Sequence, residues 1–238
     1  MSEIETKTYD VPSDGADNSK LNKLRAAVLG ANDGIVSVSS ITMGMAGATD
    51  DPKAIALAGL AALIAGALSM AVGEYVSVSS QSDAEKAYID MEKRELKDCP
   101  EQELAELSRE YQKLGVSPET ADKVAEELTA KDALRAHLHV HFNLDPDDIN
   151  NPWQAAIASL LAFTVGGFIP FSVVLFAPEP LLIPATGVAV IIALVLVGFL
   201  SALAGGAKKW RAVMRVVIGG ILAMAITYGV GVLFGHSV

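Results

Sequence analysis

GALSMAVGEYVSVSSQSDAEKAYIDMEKRELK, Gly66 to Lys97, changes character part-way along. Up to Val78 it closes an apolar run, Ala54 to Val78, that only Glu74 interrupts. Crossing a bilayer takes roughly 20 apolar residues, and this run is long enough. Beyond Val78 the pattern is charged and helical, and no Gly or Pro occurs from Glu74 to Asp98 to break it. One helix is therefore expected to leave the membrane and continue into water as the first element of an acidic segment.

Four more runs qualify as spans on the same criterion. They are Ala26 to Ala48, interrupted by Asn32 and Asp33; Trp153 to Phe176, with Pro170 inside; Leu181 to Ala204, without charge; and Val213 to Phe234. A buried helix of a water-soluble protein can imitate one such run, but hardly five. The composition agrees: 51% hydrophobic, 19% charged, mean hydropathy +0.38. The expected fold class is all-α, a polytopic membrane protein of five transmembrane helices. A small helical, acidic, cytoplasmic domain is expected between the second and third. The expected divisions are a disordered tail over 1–23, two spans over 24–78, the insert over 79–152 and three spans over 153–238.

Charge is concentrated in the insert. Ser79 to Pro152 holds 18 Asp/Glu against 9 Lys/Arg, a net of −9 out of the chain's −10. An acidic domain with no basic stripe speaks against nucleic acid and for cations. The single Cys99 excludes an intrachain disulfide and a cysteine zinc cluster. Met1 to Lys20 is polar and lacks the basic start and short apolar centre of a signal peptide, so the first span is expected to be retained. Lys20, Lys23 and Arg25 precede the first span; Lys208, Lys209 and Arg211 lie between the fourth and fifth, with Arg215 at the start of the fifth. The loop Ala177 to Pro180 has no base, and the tail after Phe234 has only His236. By the positive-inside rule the N-terminus and the insert face the cytoplasm and the C-terminus the far side. Three or four helices are expected in the insert: Glu85 to Lys97, Glu101 to Lys113 (stopped by Gly115), Ser117-Pro118 to about Thr129, and Asp132 to Phe142.

Two constellations carry chemistry. Asp33 lies within a span, where a carboxylate costs about 2.5–3.5 kcal/mol and normally faces a cavity or a partner. Glu74 lies near the same end of an antiparallel span, with Met70 one turn deeper on the same face. Two carboxylates and a thioether suit a divalent first-row ion better than Mg²⁺ or Ca²⁺. For Met70 alone packing is the commoner role, for Glu74 an interfacial position, and for Asp33 a helix cap after Gly30. The second constellation is the acidic face: Glu85, Glu92 and Glu95 form one helical stripe, and Glu103, Glu106 and Glu110 a second. Alone, these stripes also fit a solvated charged face, since Lys86, Lys93, Arg94 and Lys97 interleave with them. In AHLHVHF, His137 and His141 form an i, i+4 pair able to chelate a metal, while His139 points elsewhere. The chain has no Glu-x-x-His pair, phosphate loop or G-x-S-x-G elbow, which removes support for a di-iron oxidase, ATP-driven transport or a hydrolase.

N-D-G (Asn32 to Gly34), then S-M-A-x-G-E-Y-V-S-V (Ser69 to Val78), then an acidic insert before the third span: this combination resembles the vacuolar iron transporter family, from Leu24 to the C-terminus. The resemblance implies a homodimer with the path at the subunit interface, and exchange of Fe²⁺ or Mn²⁺ for protons. It implies Asp33 and Met70 as path residues, and Glu92, Glu95, Glu103 and Glu106 as metal ligands of the insert. The chain departs from the family pattern at Ala62, where plant members have a path Glu that Glu74 is positioned to replace. It departs again at Asn143, where the family has a fifth insert glutamate, and at His139 and Val140, where it has a Met pair. Glu85, Glu110, His137, His139, His141 and Asn143 are the further candidate metal ligands. The expected function is a proton-coupled Fe²⁺ or Mn²⁺ exporter in a prokaryotic plasma membrane, not an enzyme and without a prosthetic group. The alternative is a membrane-anchored iron sensor or store.

Overall fold

The computed structural model describes residues 18–206 and 208–235. They form seven α-helices: α1 (Asn18–Ala48), α2 (Pro52–Asp98), α3 (Pro100–Lys113), α4 (Pro118–Phe142), α5 (Pro152–Phe176), α6 (Leu182–Ala204) and α7 (Lys209–Gly235), with a 3-10 turn at Glu179–Leu181. No strand occurs among the described residues. The all-α expectation holds. Five helices are long and apolar enough to cross a membrane, over Leu24–Ala48, Pro52–Asp98, Pro152–Phe176, Glu179–Leu203 and Lys209–Gly235. Each covers one of the runs read from the sequence, the fourth stopping one residue short of Ala204. The expected disordered tail falls mostly outside the described residues, as does His236.

The chain divides into two compact units, one built on Val78–Asn151 and the other on Asn22–Ser77 and the residues from Pro152 onward. α2 contributes its apolar first part to the second unit and its charged remainder to the first.

In the apolar unit, α1 is the central helix. Ile35 packs with Val190, Ala193 and Leu194 of α6 and Met224 of α7. Val38, one turn along, packs with Leu63 and Ala67 of α2 and Phe163 and Phe171 of α5. Such crowding around one helix requires small residues where backbones cross, the usual device of helix packing in membranes. A Cβ on Gly34 would lie 2.2 Å from the Phe163 carbonyl oxygen, and one on Gly231 would lie 1.9 Å from that of Gly44. The spacings Gly30/Gly34 and Gly231/Gly235 are thus used within the chain, against α5 and α1 respectively. Large apolar side chains such as Leu57, Val72, Val165, Leu200 and Leu233 point outward and are exposed. Water would penalise that surface and lipid does not. The chain is a multi-pass membrane protein.

In the polar unit, Leu104, Leu107 and Tyr111 repeat along one face of α3 and pack with Ala125, Leu128, Ala136 and Val140 of α4. α3 begins at Pro100 and ends before Gly115, whose φ is +95°. The two helices expected after Ser117 both form: they run on as one stretch, α4, broken by a kink where Asp132 is non-helical (φ −165°, ψ 90°), the position read as the second start. Asp132 restarts the helix, its Oδ1 accepting a hydrogen bond from the Arg135 backbone N–H at 3.0 Å. α4 ends at Asn143 in the left-handed region, φ 49°. Past that cap the Arg135 guanidinium holds the chain through Asp145 (2.8 Å) and Asp147.

Candidate metal cluster and span carboxylates

The sequence places Glu92 and Glu95 on α2, Glu103, Glu106 and Glu110 on α3, and His137 and His141 on α4. The fold of the polar unit brings these seven side chains together. Single ligand atoms of Glu92, Glu95 and Glu103 lie within 4.8 Å of one another, and the same holds for Glu92, His137 and His141 and for Glu106, Glu110 and His141. Glu92 and His141 belong to more than one set, so the sets form one continuous cluster.

His137 occupies its interior and is fully buried. Its Nδ1 lies 3.5 Å from Glu92 Oε2 and 3.4 Å from Glu103 Oε2. Neither ring nitrogen of His137 has a hydrogen-bond partner, nor does Glu92 Oε2, although all three atoms are buried. Buried polar atoms are normally paired, and three unpaired ones gathered at one point set this place apart from an ordinary core. Burial raises the Glu103 carboxyl above the ordinary glutamate range, and the negative charges of Glu106 and Glu95 push it the same way. Burial lowers His137, assisted by the neighbouring His141, which keeps its imidazole neutral and able to ligate. At the outer edge, His141 Nε2 lies 3.8 Å from Glu106 Oε1, and Glu110 is held by Lys113 at 2.5 Å.

The other candidate ligands stand apart. Glu85 Oε1 accepts hydrogen bonds from Gln81 (2.9 Å) and from Asn150 of the linker (3.2 Å). His139 is exposed and lines a cleft of about 250 Å³ with Tyr111, Leu128 and Asp145. Asn143 is the exposed cap of α4.

In the apolar unit, Asp33 accepts a hydrogen bond from Ser37 one turn on, at 2.5 Å. Met70 packs against the cluster of Val38, Leu63, Ala67, Phe163 and Phe171, beside Ala62. Glu74 is 7% exposed and receives Arg25 Nη2 at 2.6 Å, an ion pair between α1 and α2. Sequence reasoning used Arg25 as a topology marker and missed this partnership. Three polar atoms of this unit are buried without a hydrogen-bond partner: Asn32 Oδ1, in the N-D-G motif, and Ser40 Oγ and Ser159 Oγ, which sequence reasoning passed over.

The model of the VIT family matches residues 24–232, nearly the whole chain. The chain belongs to the VIT family. Among similar curated proteins is a "Vacuolar iron transporter" of Acanthamoeba castellanii, 46% identical over 212 residues, covering 88% of this chain and 78% of that protein. Another is "Vacuolar iron transporter homolog 1" of Arabidopsis thaliana, 37% identical over 216 residues, covering 90% of this chain and 84% of the relative. A rice protein of the same name is 36% identical over 217 residues. The matched region of this VIT-family chain contains every candidate residue described above, from Asp33 to Asn143. The VIT family is a transporter family rather than an enzyme family, so the cluster is read for binding and passage, not for bond chemistry.

Proposed function

We propose that the protein exports Fe²⁺, and with it Mn²⁺, from the cytoplasm in exchange for protons, as a homodimer. Family membership supports metal transport, since relatives similar over most of the chain are named vacuolar iron transporters. The observation that carries the reading is the cluster of Glu92, Glu95, Glu103 and Glu106, with buried, unpartnered ligand atoms beside them. These glutamates collect cytoplasmic ions. Asp33 and Met70 pass them through the spans, and a carboxylate that alternates between metal and proton gives exchange without ATP. The orphaned polar atoms Asn32 Oδ1, Ser40 Oγ and Ser159 Oγ support a polar route, because such groups inside a bilayer are costly unless used.

Glu74 is ion-paired with Arg25. It contributes to the path only when that pair opens. Lys20, Lys23 and Arg25 ahead of the first span, with Lys208, Lys209, Arg211 and Arg215 around the start of α7, support a cytoplasmic insert and a C-terminus on the far side. The membrane is proposed to be a prokaryotic plasma membrane; the relatives are named for the vacuole, and either placement moves metal away from the cytoplasm. The test is Fe²⁺ flux in proteoliposomes with Asp33→Ala. Abolished flux in a folded, metal-binding variant is expected. Full retained flux removes Asp33 from the path, and binding without any flux in the parent protein supports a sensor or store instead.

A further inference from the structure

We propose that His137 and His141 set which cation the insert holds: with Glu92 and Glu103 they form an inner nitrogen–oxygen site for a divalent first-row ion that accepts imidazole, such as Fe²⁺, Co²⁺ or Zn²⁺, in preference to Mn²⁺, Mg²⁺ or Ca²⁺. This rests on the reading of the insert as a metal collector and names the class of ion that the collector selects.

The geometry is that of ligands spaced to share one ion. His137 Nδ1 stands 3.5 and 3.4 Å from carboxylate oxygens of Glu92 and Glu103. A hydrogen bond between such atoms would fall at roughly 2.7–3.2 Å. Two ligand atoms on a tetrahedral ion, each bonded at about 2.0–2.1 Å, lie about 3.3–3.4 Å apart. The observed spacings match the second distance. His137 is fully buried and both its ring nitrogens lack a partner, so it is not a core histidine satisfied by the backbone. A metal on Nδ1 gives that nitrogen and Glu92 Oε2 a partner at once.

His141 extends the site outward. Its ring centroid is 5.5 Å from that of His137, and it shares one set of ligand atoms with Glu92 and another with Glu106 and Glu110. An ion approaching from the half-buried Glu106 and Glu110 therefore meets an imidazole before it reaches the interior. The segment that carries both rings is anchored at its start: α4 restarts at Asp132, and Arg135 ties it to Asp145.

Selection follows from donor type. A cage of carboxylates alone suits Mg²⁺, Ca²⁺ and Mn²⁺, all of which favour oxygen, whereas imidazole suits iron, zinc, nickel and copper. Placing two imidazoles at the buried end tilts the site toward the second group.

The experiment uses the full-length protein in detergent, stripped of metal and titrated separately with Co²⁺ and Mn²⁺. Parent, His137→Gln, His141→Gln and a Glu92→Gln/Glu103→Gln double variant are compared, and X-ray absorption is recorded on the Co²⁺-loaded parent. Imidazole scattering around cobalt is expected, and each histidine variant should weaken Co²⁺ by about tenfold or more while moving Mn²⁺ by less than about threefold. Absent imidazole scattering, or a Co²⁺/Mn²⁺ ratio that neither histidine variant alters, overturns the proposal. Should His137→Gln not fold, His141→Gln and the scattering decide. The glutamate variant separates the two readings. Binding that needs the glutamates but ignores the histidines overturns the selectivity alone, while binding indifferent to the glutamates overturns the collector and this proposal with it.

Discussion

Arg25 and Glu74 show how much one residue depends on another far away in sequence. Glu74 is buried to 7% exposure, and its charge is tolerable because the guanidinium meets it at 2.6 Å. Arg25→Ala leaves that carboxylate without its partner, and we expect a loss of roughly 1.5–3 kcal/mol, read as a lower melting temperature in detergent. Arg25→Ala/Glu74→Gln together should recover most of it. His137 presents the opposite case, a buried polar ring with no hydrogen-bond partner. An orphaned buried group costs roughly 1–3 kcal/mol, so His137→Leu should stabilise the metal-free protein while reducing the stabilisation that added metal brings. Thermal melts with and without Co²⁺ measure both. The protonation of Glu103 has a sign that can be tested. Burial raises its pKa, so a metal must displace a proton held more firmly than on an exposed glutamate. Affinity should therefore begin to fall at a higher pH than for surface carboxylates as the solution is acidified, and Glu103→Gln should lose this steep acid limb in a Co²⁺ titration.

At the scale of elements, α1 is held by backbone contacts that no side chain can relax. Gly34→Ala would push a methyl group into the Phe163 carbonyl, 2.2 Å away, and should cost roughly 1–3 kcal/mol or prevent assembly of the folded protein. Gly73 has nothing within 4 Å of the position its Cβ would take. Gly73→Ala should be neutral or slightly stabilising, by roughly 0.5–1 kcal/mol, through helix propensity. Comparing the two in one thermal-shift series checks the assignment. The helices themselves were legible because runs such as Leu181 to Ala204 leave no alternative to a span, and because Gly115 and Ser117-Pro118 mark ends. The restart at Asp132 was legible as well, because Asp is a favoured N-cap residue and caps the second half of α4 here. The Gly30/Gly34 and Gly231/Gly235 spacings were legible as packing motifs, but periodicity does not say which helix they face. Both face helices of the same chain.

For the whole molecule, each compact unit carries one half of the proposed function. The four insert glutamates could be picked out through family resemblance, whereas their charge pattern alone also fitted a solvated face. Their convergence with His137 depends on how α3 and α4 fold back, which pairs residues more than 30 positions apart and leaves no local trace. The Arg25–Glu74 pair escaped for the same reason. Replacing Glu92, Glu95, Glu103 and Glu106 by Gln should raise the Fe²⁺ concentration needed for half-maximal uptake by about tenfold or more while sparing the maximal rate, because collection and passage are separate tasks. The most direct measurement follows Fe²⁺ and lumenal pH together in proteoliposomes under an imposed proton gradient. We expect Fe²⁺ to accumulate only when the lumen is the more acidic side, with the lumen turning alkaline as metal enters. Fe²⁺ accumulation that leaves lumenal pH unmoved, or binding with no accumulation under any gradient, would contradict the account.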